Sequence, residues 1–350
     1  MNKTFRDNLI TYGMVIAAYV IMQILVSAGA VSSLLQGLLV PLCTYAILAV
    51  SLNLTVGILG ELSLGHAGFM CIGAFTSAFF SKVMENTAMP SGLRFFVALL
   101  IGAAFAGIFG LLIGIPVLRL KGDYLAIVTL AFGEIIKNLI NVMYVGVDQH
   151  GFHFSIKDTT SLGMDDTGVV IIKGAQGASG VSTYSTFLAG AILVMVALVI
   201  VLNLVRSRTG RAIMAVRDNK IAAESVGISV TEYRMIAFVV SAALAGAAGA
   251  LFGGNFSQLS ATKFDFNTSI LILVFVVLGG LGNMRGSVIA AALLTVLPEL
   301  LRQFSDYRML IYAIVLILVM IFTNNPQLKA FFGRVKDRFT SKKEVAADAQ

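Results

Sequence analysis

Residues 184–205 read YSTFLAGAILVMVALVIVLNLV, and residues 206–227, which follow at once, read RSRTGRAIMAVRDNKIAAESVG. The first stretch can cross a bilayer as one helix, because a span needs about 20 predominantly apolar residues. The second stretch is short and cationic, and another apolar run begins near residue 233. Alternation of this kind predicts an all-α fold, a polytopic bundle of transmembrane helices.

The composition of the whole chain supports this fold class. Of 350 residues, 58% are hydrophobic and 12% are charged, and the mean hydropathy is +0.91, whereas a soluble domain has about 25% charged residues. The apolar runs are continuous rather than alternating, which excludes a transmembrane β-barrel. Cys43 and Cys71 both lie inside apolar runs, and we expect buried thiols there, neither a disulfide nor a metal site.

About ten segments have the composition of a membrane span. They are residues 9–31, 34–57, 65–83, 94–118, 123–145, 184–205, 233–254, 268–282, 287–301 and 309–325. The third, eighth and ninth are short, and glycine-rich breaks at 57–60 and 279–282 adjoin them. Transporters tolerate broken or re-entrant helices where these line a cavity. Ten crossings are therefore expected, and eight crossings with two re-entrant segments fit as well.

The distribution of charge predicts the orientation in the membrane. Basic residues mark cytoplasmic loops, and with ten spans all of the basic regions fall on one side: residues 1–6, the turn with Arg119 and Lys121, the loop 206–232, Arg285 and the tail 329–350. Both termini are then cytoplasmic and the loop 146–183 is external. We expect residues 1–328 to form the membrane domain and the basic tail to be disordered. Membrane topology accounts for the net charge of +7, so no nucleic-acid partner is implied.

The loop 206–232 is predicted to hold one short helix at 217–227. Asp218 is a suitable N-cap, and Gly227 suits the left-handed position that ends a helix. Ala222, Ala223 and Val226 give this helix a small apolar face. Such a helix either docks on a partner or rests on the lipid surface as an amphipathic connector, and the residues alone leave both readings open.

Three polar residues inside predicted spans are candidates for the translocation path. Glu134 is centred in a span, where an acid is costly, so it should face protein or water, with Lys137 within reach on the same helix face. A structural pair, a path-lining residue and a proton relay are all compatible with Glu134. His66 lies at a glycine-rich helix break, where one hydrogen bond or a path-lining role is expected. Asn53 is expected to tie helices together or to meet solute.

Several strings resemble those of a known family. Ala222-Ala223-Glu224, followed three residues later by Gly227, resembles the EAA loop of ABC-importer permeases, with the glutamate displaced to the end of the triplet. The strings LSLGHAGF at 62–69, RLKGDYLAIVTL at 119–130 and YRMLIY at 307–312 are similar to blocks of branched-chain amino-acid permeases. The resemblance covers about residues 40–328 and favours the M-type member of the paired permeases.

This resemblance implies a permease subunit of the plasma (inner) membrane that carries leucine, isoleucine and valine or a related small solute. It implies three kinds of partner besides the lipid bilayer: a second homologous permease, two cytoplasmic ATPase subunits and an extracellular solute-binding protein. The ATPases would contact the loop residues that match the family pattern, namely Gly210, Arg217, Asp218, Ala222, Ala223, Glu224 and Gly227.

No phosphate-binding Gly-x-x-x-x-Gly-Lys-Ser/Thr loop occurs in the sequence. The chain is therefore expected to be a transport subunit without enzymatic activity or a cofactor of its own, and Mg-ATP would be used by the partner ATPases. The alternative is a self-contained proton- or sodium-coupled secondary transporter with Glu134 as its coupling site.

Overall fold

The computed structural model describes residues 3–29, 31–85, 89–120, 122–148, 150–165, 168–302 and 307–324. The predicted tail 329–350 and Lys121 lie outside these residues. The described part contains twelve α-helices: α1 (Lys3–Ser27), α2 (Ser33–Asn53), α3 (His66–Val83), α4 (Ser91–Val117), α5 (Asp123–Val142), α6 (Phe187–Arg206), α7 (Arg208–Asp218), α8 (Lys220–Ser225), α9 (Val230–Gly253), α10 (Phe266–Gly279), α11 (Met284–Leu300) and α12 (Arg308–Asn324).

The helical architecture confirms the predicted fold class. Each of the ten predicted spans coincides with a helix, and only α7 and α8 lie in a predicted loop. Among the described residues, seven segments are long and apolar enough to cross a membrane by length and composition: those of α1, α2, α4, α5, α6, α9 and residues 261–279. The number of crossings and the position of the termini stay predictions.

The core is built on α9, which packs closely against α3 and α4. A Cβ atom on Gly249 of α9 would lie 2.0 Å from the carbonyl oxygen of Met70, and one on Gly73 of α3 would lie 2.0 Å from that of Gly246. Backbones can approach so closely only where a side chain is missing. The α4 glycines at 102, 107, 110 and 114 also lie close to residues of α9, so they pack within the chain.

Two breaks divide the helices where the glycines predicted them. The helix α2 continues into a π-helical turn, Leu54–Leu59, which ends at Gly60 in the left-handed conformation, with φ +77°. Residues 60–65 then run without helical structure to the start of α3. The helix α10 ends before Gly280, and α11 begins at Met284. The first break is partly buried, whereas Leu281 and Asn283 in the second break are exposed.

A small antiparallel sheet, which the all-α prediction did not include, lies after α5 and takes a last strand from the segment after α9. Its strands are β1 (Tyr144–Asp148), β2 (Gly151–Ser155), β3 (Val169–Lys173), β4 (Ala178–Ser179) and β5 (Gln258–Leu259), in the order β2-β1-β3-β4-β5. The short valine- and isoleucine-rich runs at 145–147 and 169–172 favour strands.

Hydrogen bonds from a local ion pair join the end of α3 to residues 180–182, which follow β4. Lys82 lies 2.5 Å from Glu85 and also donates to the carbonyl of Gly180, while Ser182 donates to Glu85. The hydrogen bonds from Lys82 and Ser182 lower the pKa of Glu85 from its usual value of 4.5. Deprotonated Glu85 therefore stabilises this end of the protein.

Residues from Val296 onward form a second compact unit. Its described part holds the end of α11 and the apolar helix α12. Glu299 of α11 pairs at 3.1 Å with Arg302, which follows this helix.

Candidate coupling surface and interior polar contacts

The loop between α6 and α9 begins with a sharp turn at Ser207. This residue ends α6 and caps α7, because its hydroxyl accepts a hydrogen bond from the Gly210 backbone N–H at 3.1 Å. A Cβ atom on Gly210 would lie 2.2 Å from the carbonyl oxygen of Leu204. The predicted coupling residue Gly210 is thus buried against the end of α6, where only glycine fits.

The loop contains two helices rather than the single helix predicted at 217–227. The first, α7, ends with Asp218, and the second, α8, starts at Lys220. Asn219 adopts an extended conformation between them and accepts a hydrogen bond from the Ala222 N–H at 3.1 Å. The predicted N-cap Asp218 is therefore wrong: it is an exposed residue that pairs with Arg217, and the amide one position later caps α8.

The end of α8 agrees with the prediction for Gly227. Its φ is +83°, its N–H donates to the Glu224 carbonyl, and the N–H of Ile228 donates to the Ala223 carbonyl, both at 3.0 Å. This pair of bonds is a Schellman motif, which closes a helix at a left-handed glycine. The short helix α8 is thus capped at both ends and has a fixed length.

The exposed face of α8 differs from the predicted one. Ala223 is buried with Val216 and Val230, so it anchors α8 to its own chain. The side chains of Ile221 and Val226 are 81% and 74% exposed, and Ala222 and Glu224 are exposed as well. Ile221 is the large apolar residue that the sequence pattern missed. Ile221, Val226 and Glu224 together give α8 and its C-cap an exposed, partly apolar face, which is the candidate docking surface.

A cluster of charges behind α8 was not predicted. The carboxylate of Glu61, which follows the π-helical turn, lies 3.1 Å from Lys220 Nζ at the start of α8 and 2.5 Å from Arg234 Nε near the start of α9. Arg217, one of the predicted coupling residues, donates to the Gly57 carbonyl at 3.1 Å. Sequence separations of about 160 residues hide these contacts from any local pattern.

The first path candidate, His66, is buried at the start of α3. Its Nε2 lies 2.9 Å from the Ser241 hydroxyl, and that hydroxyl donates to the Ser51 carbonyl at 2.5 Å. Since the serine proton is used in this way, Nε2 is the protonated ring nitrogen. The other nitrogen, Nδ1, has no hydrogen-bond partner within the described ranges. His66 therefore ties α3 to α9 and α2.

The second candidate, Asn53, is fully buried at the end of α2. Its amide nitrogen donates to the Ser287 hydroxyl and its oxygen accepts from the Gly282 N–H, both at 2.8 Å. Asn53 thereby joins the two helix breaks to each other. These contacts fit the predicted helix-tying role, and contact with solute stays a prediction.

The third candidate, Glu134, is half-buried on α5 and engages both carboxylate oxygens. One accepts from the Phe266 N–H at 3.0 Å and the other pairs with Lys137. Phe266 is the first residue of α10, so Glu134 and the N-cap Asp265 both place negative charge at the start of that helix, where the helix dipole favours it. Glu134 thus contacts the first residue of α10, whereas Asn53 contacts Gly282, beyond the other end of that helix.

A cleft of about 600 Å³ lies between α3, α4 and α5 below the sheet. Its lining is apolar apart from Thr76, whose hydroxyl donates to the Ile72 carbonyl. Such a surface offers nothing to a charged or zwitterionic solute. Among the described residues, no group of three or more histidine, cysteine or acidic side chains could hold a metal ion.

Comparison with known proteins agrees with these features. Residues 33–322 match the family model of the branched-chain amino acid transport system / permease component. The high-affinity branched-chain amino acid transport system permease proteins LivM of Salmonella typhimurium and of Escherichia coli are each 36% identical over 315 residues, which cover 83% of this chain and 71% of the relative.

A more distant relative belongs to the same named system. The permease protein LivH of Escherichia coli is 24% identical over 298 residues, covering 79% of this chain and 89% of the relative. No solved structure matches the chain.

Proposed function

We propose that this chain, which belongs to the family of permease components of branched-chain amino acid transport systems, carries branched-chain amino acids or a related small solute across the inner membrane in an ATP-driven importer. Family membership, the relatives and the apolar spans make it a multi-pass permease subunit of the inner membrane. The substrate is inferred from the names of the relatives. Selectivity would reside largely in a separate extracellular solute-binding protein.

A second permease completes the pathway. In Escherichia coli the same named transport system has two permease proteins, LivM and LivH, and both are similar to this chain. The greater identity to LivM, 36% against 24%, supports an M-type subunit that pairs with a different, related permease. The outward faces of α1, α4, α5 and α6 carry exposed apolar side chains, which a bilayer and a partner permease can cover.

The coupling surface of α8 receives the ATPase subunits. Its exposed Ile221, Val226 and Glu224 are the observation that carries this proposal. The sequence contains no phosphate-binding loop, so Mg-ATP is used by separate ATPase chains. ATP favours one arrangement of those chains, and α8 must contact them differently in the outward-open and inward-open states, because only a differential affinity shifts a conformational equilibrium.

Affinity purification of the chain from its native membrane in mild detergent tests the assembly. We expect ATPase subunits and a second permease to stay bound, and Glu224→Lys to lose the ATPase subunits while it keeps the permease, because Glu224 is exposed and reversing its charge leaves the fold intact. Asp165→Lys is the matched control, since Asp165 is an exposed acid in the loop 146–183, outside the coupling loop. A chain that purifies alone would refute the importer assignment.

The interior contacts of Glu134 bear on the secondary-transporter alternative. A proton relay requires a carboxylate that can release its partners and take up a proton. The salt bridge to Lys137 and the bond from the Phe266 N–H give Glu134 a structural role at the start of α10. These contacts support the ATP-driven reading. Uptake by the lone chain in ATP-free liposomes, driven by a pH gradient, would favour the alternative.

A further inference from the structure

We propose that Glu61 is the positioning residue through which a movement of α8 reaches the membrane helices, by way of its ion pair with Lys220. This inference rests on the proposed function and adds to it a route for the force. Glu61 lies outside the coupling loop and outside every sequence string that resembles the family.

The Glu61 carboxylate connects three elements. It lies 3.1 Å from Lys220 Nζ, at the first residue of α8, and 2.5 Å from Arg234 Nε on α9. The Arg234 guanidinium also donates to the carbonyls of Leu118 and Leu120, which follow α4. A single acidic side chain thus links the docking helix to the ends of two helices of the packed core.

Burial makes this link more than a surface ion pair. The side chains of Glu61 and Arg234 are 10% and 7% exposed, whereas that of Lys220 is 43% exposed. The Glu61–Arg234 pair therefore stays fixed, and the Lys220 contact is the part that can change when α8 moves. Both cations lie close to the same oxygen, Oε1, but only Lys220 donates a hydrogen bond to it, because Arg234 Nε faces it without hydrogen-bond geometry. The other oxygen, Oε2, is buried with no hydrogen-bond partner among the residues that the structure describes. The carboxylate thus keeps an acceptor for a rearranged contact.

The segment that carries Glu61 is suited to transmit a displacement. It follows the π-helical turn Leu54–Leu59, and π-helical turns within helices occur frequently at functional sites. Arg217 donates to the Gly57 carbonyl at 3.1 Å. Its side chain also packs on Gly60, where an added Cβ atom would lie only 2.6 Å from Arg217 Cγ. The helices α7 and α8 therefore both contact residues 57–61, and five residues later His66 begins α3. A shift of α8 is delivered to the break between α2 and α3.

The test uses Lys220→Gln in the complete transporter, reconstituted with its ATPases and second permease in proteoliposomes. The readout is the amount of solute transported per ATP hydrolysed, together with the yield of the assembled complex. Lys220→Gln removes only the link to α8 and keeps the buried Glu61–Arg234 pair. We expect about a fivefold or greater fall in the transport-to-hydrolysis ratio, within the usual range of coupling between sites, with normal complex yield and continued ATP hydrolysis.

Two further variants separate transmission from structure. Lys220→Arg keeps a cation at the position and should restore most of the ratio. Arg302→Gln breaks another ion pair of 3.1 Å between partly exposed side chains, outside the loop 206–232 in sequence, and should leave the ratio at the wild-type value. An unchanged ratio of transport to hydrolysis in Lys220→Gln would overturn the inference. It would also be overturned if Lys220→Gln lost complex yield, ATP hydrolysis and transport in parallel and Lys220→Arg did not restore them. A wild-type complex without ATP-dependent uptake would instead refute the proposed function, and the inference with it.

Discussion

Replacing the two exposed aliphatic residues of α8 by serine should weaken binding of the ATPase subunits without affecting the fold. Ile221 and Val226 are 81% and 74% exposed, so the free chain loses little packing when they are changed. Serine and these two residues differ little in helix propensity. The Asn219 cap and the left-handed Gly227 that define α8 are untouched.

The magnitude follows from the area that docking removes from water. Complete burial of a valine or isoleucine side chain contributes about 1.5–3 kcal/mol, and burial of the exposed three-quarters contributes about 1–2 kcal/mol for each residue. The double variant Ile221→Ser/Val226→Ser should therefore lose about 2–4 kcal/mol of binding free energy, which is roughly a 30- to 700-fold rise in Kd.

The assay is titration of the detergent-solubilised chain with its purified ATPase subunits, with thermal unfolding as a check on the fold. Ile156→Ser is the matched control, because Ile156 is 59% exposed and lies in the loop between α5 and α6, at the opposite end of α6 from the coupling loop. We expect the control to bind with wild-type affinity. Wild-type affinity in a correctly folded double variant would refute the placement of the docking surface on α8.

Three other predictions address stability. Gly227→Ala should destabilise the end of α8 by about 1 kcal/mol, because alanine is strained at φ +83°. Hydrogen exchange of the α8 amides should become faster, and unchanged protection would refute this prediction. Asn53→Ala should lower the free energy of unfolding by about 1–3 kcal/mol, because two buried hydrogen bonds are lost. The control is Asn203→Ala, at an exposed asparagine of α6, which should change the free energy of unfolding by less than about 0.5 kcal/mol. Equal melting temperatures of the Asn53 and Asn203 variants would contradict this prediction. The hydrogen bonds that lower the pKa of Glu85 contribute stability that is fully present above its usual pKa of 4.5 and is lost as the pH falls through the lowered value. Thermal melts at a series of pH values should therefore show a fall in melting temperature over this range. The fall should be smaller in Glu85→Gln.

The membrane architecture could be predicted because long apolar runs leave few alternatives. Every predicted span coincides with a helix, and the glycine-rich breaks at 57–60 and 279–282 lie where helices end. Only the structure identifies α9 as the helix against which the α4 glycines pack. Short strands such as Tyr144–Asp148 were missed, since five residues carry a weak signal beside adjacent spans.

The detail of the coupling loop could be predicted only in part. Gly227 was correctly assigned because a left-handed position strongly favours glycine. The cap was misplaced by one residue, since Asp218 and Asn219 are both good capping residues and the choice depends on how Ala223 packs against Val216. Glu61 was missed altogether, because its partners Lys220 and Arg234 are distant in sequence and no local pattern marks a residue that bridges helices.

Solute uptake by proteoliposomes tests the central claim most directly. Vesicles that contain this chain, its second permease and the ATPase subunits should accumulate leucine, isoleucine or valine when ATP and the solute-binding protein are present. We predict that uptake stops without ATP and that Glu224→Lys abolishes it. Uptake of the same solute by the lone chain without ATP, driven by a proton gradient and lost on Glu134→Gln, would contradict the account.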